Sequence, residues 1–154
     1  MRGDSRLSGV VHVLLHMSEE GAPVPSERLA KAMRTNPAVI RRALSGLRER
    51  GYVRSEKGHG GGWTLACELS ELTLRDVYEA LGSPALLALR HRSEEPRCPV
   101  ETAINQALDG AFQDAEALLL VRLGDLTLDR LRAGFQTRLA ARCGIHDQEV
   151  AHAS

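Results

Sequence analysis

The sequence predicts a mainly α-helical chain carrying one small β-hairpin. Two observations lead there. Apolar residues recur at helical spacing in five separate segments between Leu7 and Leu119. A glycine cluster, "EKGHGGGWTL" over residues 56–65, lies between two short stretches of β-branched and aromatic residues.

The first helix is marked by Leu7, Val10, Val11, Leu14 and Leu15, spaced i, i+3, i+4, i+7 and i+8. Gly21, Pro23 and Pro25 close it. Ser26 suits the N-cap of a short second helix with Leu29, Ala30 and Met33 on one face. Only Arg34 and Thr35 separate it from a third. There Asn36 suits the N-cap, Pro37 the first helical position and Gly51 the C-terminal stop. In helix 37–50 the buried stripe is Ile40, Ala43, Leu44 and Leu47. Ala38, Arg42 and Ser45 stand opposite, with Arg41 on the flank. Two helices joined by a tight turn, the second with a small, basic outer face, form the helix-turn-helix pattern.

"YVRSE" and "WTLA" read as strands on either side of the glycine loop. A P-loop would need Lys-Ser or Lys-Thr after its last glycine, and a dinucleotide fingerprint needs a glycine where Trp63 stands. Both nucleotide motifs are excluded. Thr73 and Asp76 form a capping-box variant for a helix whose inner face is Leu74, Val77, Tyr78 and Leu81. The segment "RHRSEEPR" reads as a charged, irregular connection. Cys98 and Pro99 open the longest periodic run, from Val100 through Ile104, Leu108 and Phe112 to Leu119, with Gly124 as its stop. A helix of that length spans about 37 Å. Its alanine-rich stripe permits close approach, and a second copy of the chain is the economical way to cover it. Thr127 to Leu131 suggest one more short helix. The divisions expected are 1–82, a connection at 83–98, 99–141 for the long and short helices, and a disordered tail at 142–154.

The chain has 154 residues, 43% of them hydrophobic, enough for one ordinary domain or a small domain with an appendage. Its formal net charge of zero hides an uneven distribution. Residues 27–57 hold nine basic and three acidic residues, a net +6, so the rest of the chain carries −6. That split suits a polyanion-binding patch, although composition alone does not separate it from a solvated Arg-rich helix face. Cys67, Cys98 and Cys143 are too few and scattered for a disulfide framework or a paired CxxC zinc site. No segment reads as a signal peptide or a membrane span, so a cytoplasmic location is expected.

"VIRRALSGLRERGYVRSEKGHGGGWTLA", followed by "ELTLRDVYEAL", resembles the Rrf2 family of bacterial winged helix-turn-helix regulators. The resemblance runs from the first helix to Gly124. It implies a winged helix-turn-helix with a long dimerisation helix: a homodimer binding a partly palindromic operator, usually as a repressor. It also implies that Ala38, Val39, Arg41 and Arg42 enter the major groove, next to Thr35 and Asn36. Lys57 at the base of a wing spanning 57–62 would reach the minor groove, with His59 and Gly60 at the tip. Ile104, Leu108, Phe112 and Leu119 would form the dimer seam. The chemistry agrees: arginine bonds the O6 and N7 of guanine bidentately, and glycines let backbone N–H groups approach phosphates.

The best-known members hold an iron–sulfur cluster through cysteines before the long helix. Between Gly82 and Pro99 this chain has only Cys98 where cluster binders supply three, so no cofactor is expected. Cys98 itself stands at a helix start beside Arg97, where dipole and charge favour a thiolate. It is either a redox-reactive cysteine or an inert cap. Cys67 and Cys143 read as inert. His12 and His16 lie one turn apart, a spacing able to bind metal, but such a face on a first helix is usually packing or solvent. No metal site is expected there. No nucleophile–base arrangement is placed by the sequence, and no enzymatic activity is expected. The reading is a dimeric, sequence-specific regulator that binds double-stranded DNA and no membrane. Its alternatives are a thiol-redox regulator acting through Cys98 and a winged-helix protein-interaction adaptor.

Overall fold

A computed structural model describes residues 6–84, 86 and 98–136. The expected connection is therefore seen only at Ser83, Pro84, Leu86 and Cys98. The "RHRSEEPR" segment, Cys143 and the expected tail at 142–154 lie outside the described residues.

Helix α1 (Arg6–Ser18) buries Val10, Val13, Leu14 and Met17. Those positions repeat at i, i+3, i+4 and i+7, so the buried stripe is centred slightly to one side of the expected one. Leu7, Val11 and Leu15 are half-buried on its flank. The chain then runs extended through Val24, which exchanges two backbone hydrogen bonds with Trp63 at 3.0 and 2.9 Å.

Helix α2 (Ser26–Ala32) corrects one expectation. Ser26 is not the N-cap: Pro25 occupies that position, and no side chain caps the helix. The Ser26 hydroxyl is buried and accepts a 2.9 Å hydrogen bond from the Trp63 indole N–H. Pro25 is extended, at φ −62° and ψ 145°, so Ser26 already lies inside the first turn and its hydroxyl meets the indole. In the turn that follows, Arg34 sits at φ 51° and the Thr35 N–H donates to the Ala30 carbonyl at 2.9 Å.

Helix α3 (Pro37–Glu49) begins as the sequence predicts. The Asn36 side chain accepts from the Ala38 N–H at 2.8 Å, and Pro37 occupies the first turn. Gly51, at φ 80°, ends it. Ile40, Leu44 and Leu47 are buried against α1 and α2. Gly46 lies so close to α4 that a Cβ there would stand 2.0 Å from the Ala80 carbonyl oxygen. The two helices meet at that distance only because the side chain is absent.

Strands β1 (Val53–Glu56) and β2 (Gly62–Leu65) pair antiparallel, Val53 opposite Leu65 and Glu56 opposite Gly62. Val53 and Trp63 point into the core. Helix α4 (Leu74–Ala80) carries the expected capping box between Thr73 and Asp76, and buries Val77 and Tyr78. Helix α5 (Pro99–Gly124) is 26 residues long and packs partly on α4. Beyond it the chain returns to the core. The Leu74 N–H donates to the Leu126 carbonyl, the Leu128 N–H to the Leu72 carbonyl, and Leu128 is fully buried. Residues 128–136 are helical, a longer stretch than the expected 127–131. The result is a mainly helical fold with one two-stranded antiparallel hairpin.

Candidate nucleic-acid interface

Helix α3 is fixed on its inner side by Ile40, Leu44 and Leu47, which leaves its other side to solvent. Thr35, Asn36, Ala38, Val39, Arg41 and Arg42 are all exposed. Val39 is 52% accessible, unusual for a valine that packing does not need, and suited to contact a thymine methyl. The Asn36 carbonyl oxygen accepts the cap bond with one of its lone pairs, and its amide N–H groups face no partner among the described residues. Ser45 turns its hydroxyl back to the Arg42 carbonyl at 2.7 Å.

The basic residues divide into two kinds. Arg28, Arg41 and Arg50 face the carboxylates of Glu20, Glu27 and Glu79, and Arg48 reaches the Ser55 hydroxyl at 3.4 Å. The Arg41 pair is long, 3.5 Å, with both side chains more than half exposed, so it is worth little and opens readily. Among the described residues Lys31, Arg34, Arg42, Arg54 and Lys57 have no carboxylate partner. Arg42 is thus an uncommitted guanidinium on the outer face of α3. The +6 seen in composition is partly neutralised by acidic neighbours, which charge counting along the chain does not reveal.

In the wing, Gly58 and Gly60 adopt φ of 97° and 80°, the left-handed region that glycine enters without strain. The Gly61 N–H closes the turn on the Gly58 carbonyl at 3.1 Å. Lys57, His59 and Gly60 are exposed, and neither Lys57 nor His59 has a side-chain partner among the described residues. The indole–serine bond and the Val24 bridge anchor β2 from the other side. Sequence reasoning missed both. The alternating "PVPS" before α2 was the available signal, since prolines hold such a segment extended.

Helix α5 has no buried residue in the single chain. Ile104 is 53%, Leu108 41% and Leu119 37% accessible, with Val100, Leu118 and Val121 also exposed. Phe112 differs from the others expected at a dimer seam in being half-buried. No helix among the described residues is long and apolar enough to cross a membrane.

Other ionisable groups have structural explanations. Burial opposes charge on Asp76, but hydrogen bonds from Thr73 and Tyr52 and the nearby Arg50 outweigh it and hold the carboxyl below its usual range. Burial, then Asp76, pushes the Tyr52 phenol up. Cys67 lies just past β2, 3.7 Å from the Tyr52 carbonyl, and burial raises its thiol, which suits an inert residue. Cys98 is exposed at the start of α5 and makes no side-chain capping bond.

A family model described as "Rrf2: Iron-dependent Transcriptional regulator" matches residues 4–134. The described residues do not fit an iron or iron–sulfur group: Cys67 and Cys98 lie on different elements, and no three His, Cys, Asp or Glu side chains gather to hold a metal. Among curated proteins the chain is 30% identical over 125 residues to YwnA of Bacillus subtilis, a candidate HTH-type transcriptional regulator, covering 81% of this chain and 92% of that one. A candidate transcriptional regulator of Lactobacillus plantarum has a similar solved structure, with a TM-score of 0.74 and 24% identity, covering 94% of this chain and 98% of that one. CymR, the global cysteine regulator of B. subtilis, shares the fold at a TM-score of 0.57 and 20% identity, over 86% of this chain and 96% of that one. With its helix-turn-helix, its glycine-turned wing and a family match over most of its length, the chain belongs to the Rrf2 family of winged-helix transcriptional regulators.

Proposed function

We propose that the chain acts as a homodimer that reads a partly palindromic DNA operator and represses transcription there. The observation that carries this reading is α5, a 26-residue helix without a single buried residue in the isolated chain and with a row of exposed leucine, isoleucine and valine. A soluble protein rarely leaves such a row in water, and a two-fold pairing of α5 covers it with itself. Two copies then present two α3 helices, one to each half-site. Arg42 and Val39 read base edges in the major groove, Thr35, Asn36 and Arg41 support them, and Lys57 with His59 and Gly60 follows the backbone into the minor groove. Such a regulator works in the cytoplasm and needs no catalytic site. Sedimentation equilibrium of the full chain at micromolar concentration tests the assembly: a mass near twice 16.8 kDa supports it, and a monomer overturns it.

A second reading, thiol-redox control, is favoured by one observation. Cys98 is exposed and makes no capping bond at the start of the same helix. Peroxide would convert its thiolate to a sulfenic acid, the O–O bond breaking and hydroxide leaving, and change the spacing of the two α3 helices. Operator binding that peroxide leaves unchanged removes this reading. A protein-interaction adaptor would instead show binding nearly independent of salt, unlike a phosphate-contacting protein.

A further inference from the structure

We propose that His12 and His16 form a two-ligand, solvent-facing site for a divalent transition-metal ion that prefers cis ligands at right angles, nickel(II) or copper(II). Both rings lie on the face of α1 opposite Val10, Val13, Leu14 and Met17, and both are exposed. Their Nε2 atoms are 2.8 Å apart, their ring centroids 4.6 Å, and their planes inclined by 31°.

Those dimensions select the geometry of the ion. A metal bound to imidazole at about 2.0–2.1 Å from each of two nitrogens 2.8 Å apart sees them at an angle of roughly 85–90°. That is the cis angle of a square-planar or octahedral ion. A tetrahedral zinc would need the nitrogens about 3.3–3.4 Å apart, so the rings would have to separate. Nitrogen ligation in a tetragonal arrangement is the preference of copper(II) and nickel(II).

Without metal the two nitrogens share one hydrogen bond. On binding, the ring that carries its proton on Nε2 takes the Nδ1–H form. Two coordinate bonds replace the hydrogen bond, with no net proton released. Glu19 follows one turn on, but it faces Arg132 at 3.9 Å. The site thus has two protein ligands, and water fills the remaining positions.

The probe is nickel(II), which does not oxidise thiols. Calorimetric titration of the full chain is compared among the parent, His12→Gln and His16→Gln. The expected result is one site in the parent, weakened about tenfold or more in either variant because the chelate's second arm is lost. Nickel should raise the melting temperature of the parent and leave both variants unmoved. Metal-free melting should be the same in all three proteins, since both side chains are exposed. Variants that bind nickel as tightly as the parent, or a parent that does not bind at millimolar nickel, would overturn the site.

Discussion

Replacing Ser26 with alanine distinguishes a serine that caps a helix from one that holds the wing. The hydroxyl and the indole N–H of Trp63 are 2.9 Å apart, with Ser26 8% and Trp63 6% accessible, so water cannot replace a missing partner. Ser26→Ala leaves the indole N–H buried and unpaired, a cost of about 1–3 kcal/mol. Alanine's higher helix propensity returns at most a few tenths of that at an end position. The net expectation is a loss of about 1–2 kcal/mol, read by urea unfolding followed by far-ultraviolet circular dichroism at fixed protein concentration. The loss should depend on the indole. In a Trp63→Phe background the indole N–H is gone and Ser26→Ala should cost nearly nothing, or stabilise by removing an orphaned hydroxyl. If Ser26→Ala costs the same in both backgrounds, the serine acts on its own helix, and the account of how β2 is tied to α2 is wrong.

Other perturbations test other parts of the molecule. Arg42→Ala should cost about 1–3 kcal/mol on the cognate operator and relax one base position, whereas Lys57→Ala should weaken all sequences alike and lower the salt slope by about 1. Leu108→Glu removes an apolar side chain worth about 1.5–3 kcal/mol of burial from each side of the proposed seam, and should give monomer by sedimentation. Asp76, whose carboxyl is held below its usual range, contributes stability at neutral pH that is lost as pH falls through the lower folded value. Asp76→Asn should therefore be less stable at pH 7 and show a shallower acid loss as pH falls from the ordinary carboxylate range towards the lower folded value. Protein purified without air should carry no stoichiometric iron or sulfide, and a brown preparation would contradict the ligand argument.

The helix-turn-helix was legible because its signals are local. Asn36, Pro37 and Gly51 mark α3 through rules that act within one turn, and Thr73 with Asp76 does the same for α4. What the sequence hid depends on partners far along the chain. Ser26 resembles an N-cap in isolation, and only the fold brings Trp63 to it from 37 residues away. Leu128 falls beyond a long helix, where nothing local says that the chain returns to the first core. Gly46 interrupts an otherwise good helical pattern for the sake of a carbonyl on α4. At the interface, the residue types were readable and the ion pairs were not. Arg41 and Arg42 are adjacent and alike in sequence, yet one faces Glu27 and the other faces no carboxylate.

The central claim is that two copies of α3, joined through α5, read two half-sites of one operator. Sedimentation of the full chain with a DNA duplex taken from its genomic footprint measures this most directly. The account predicts a site with approximate two-fold symmetry, half-sites about one helical turn or a multiple of it apart, and two chains bound per duplex. One chain per duplex on an asymmetric site would contradict it.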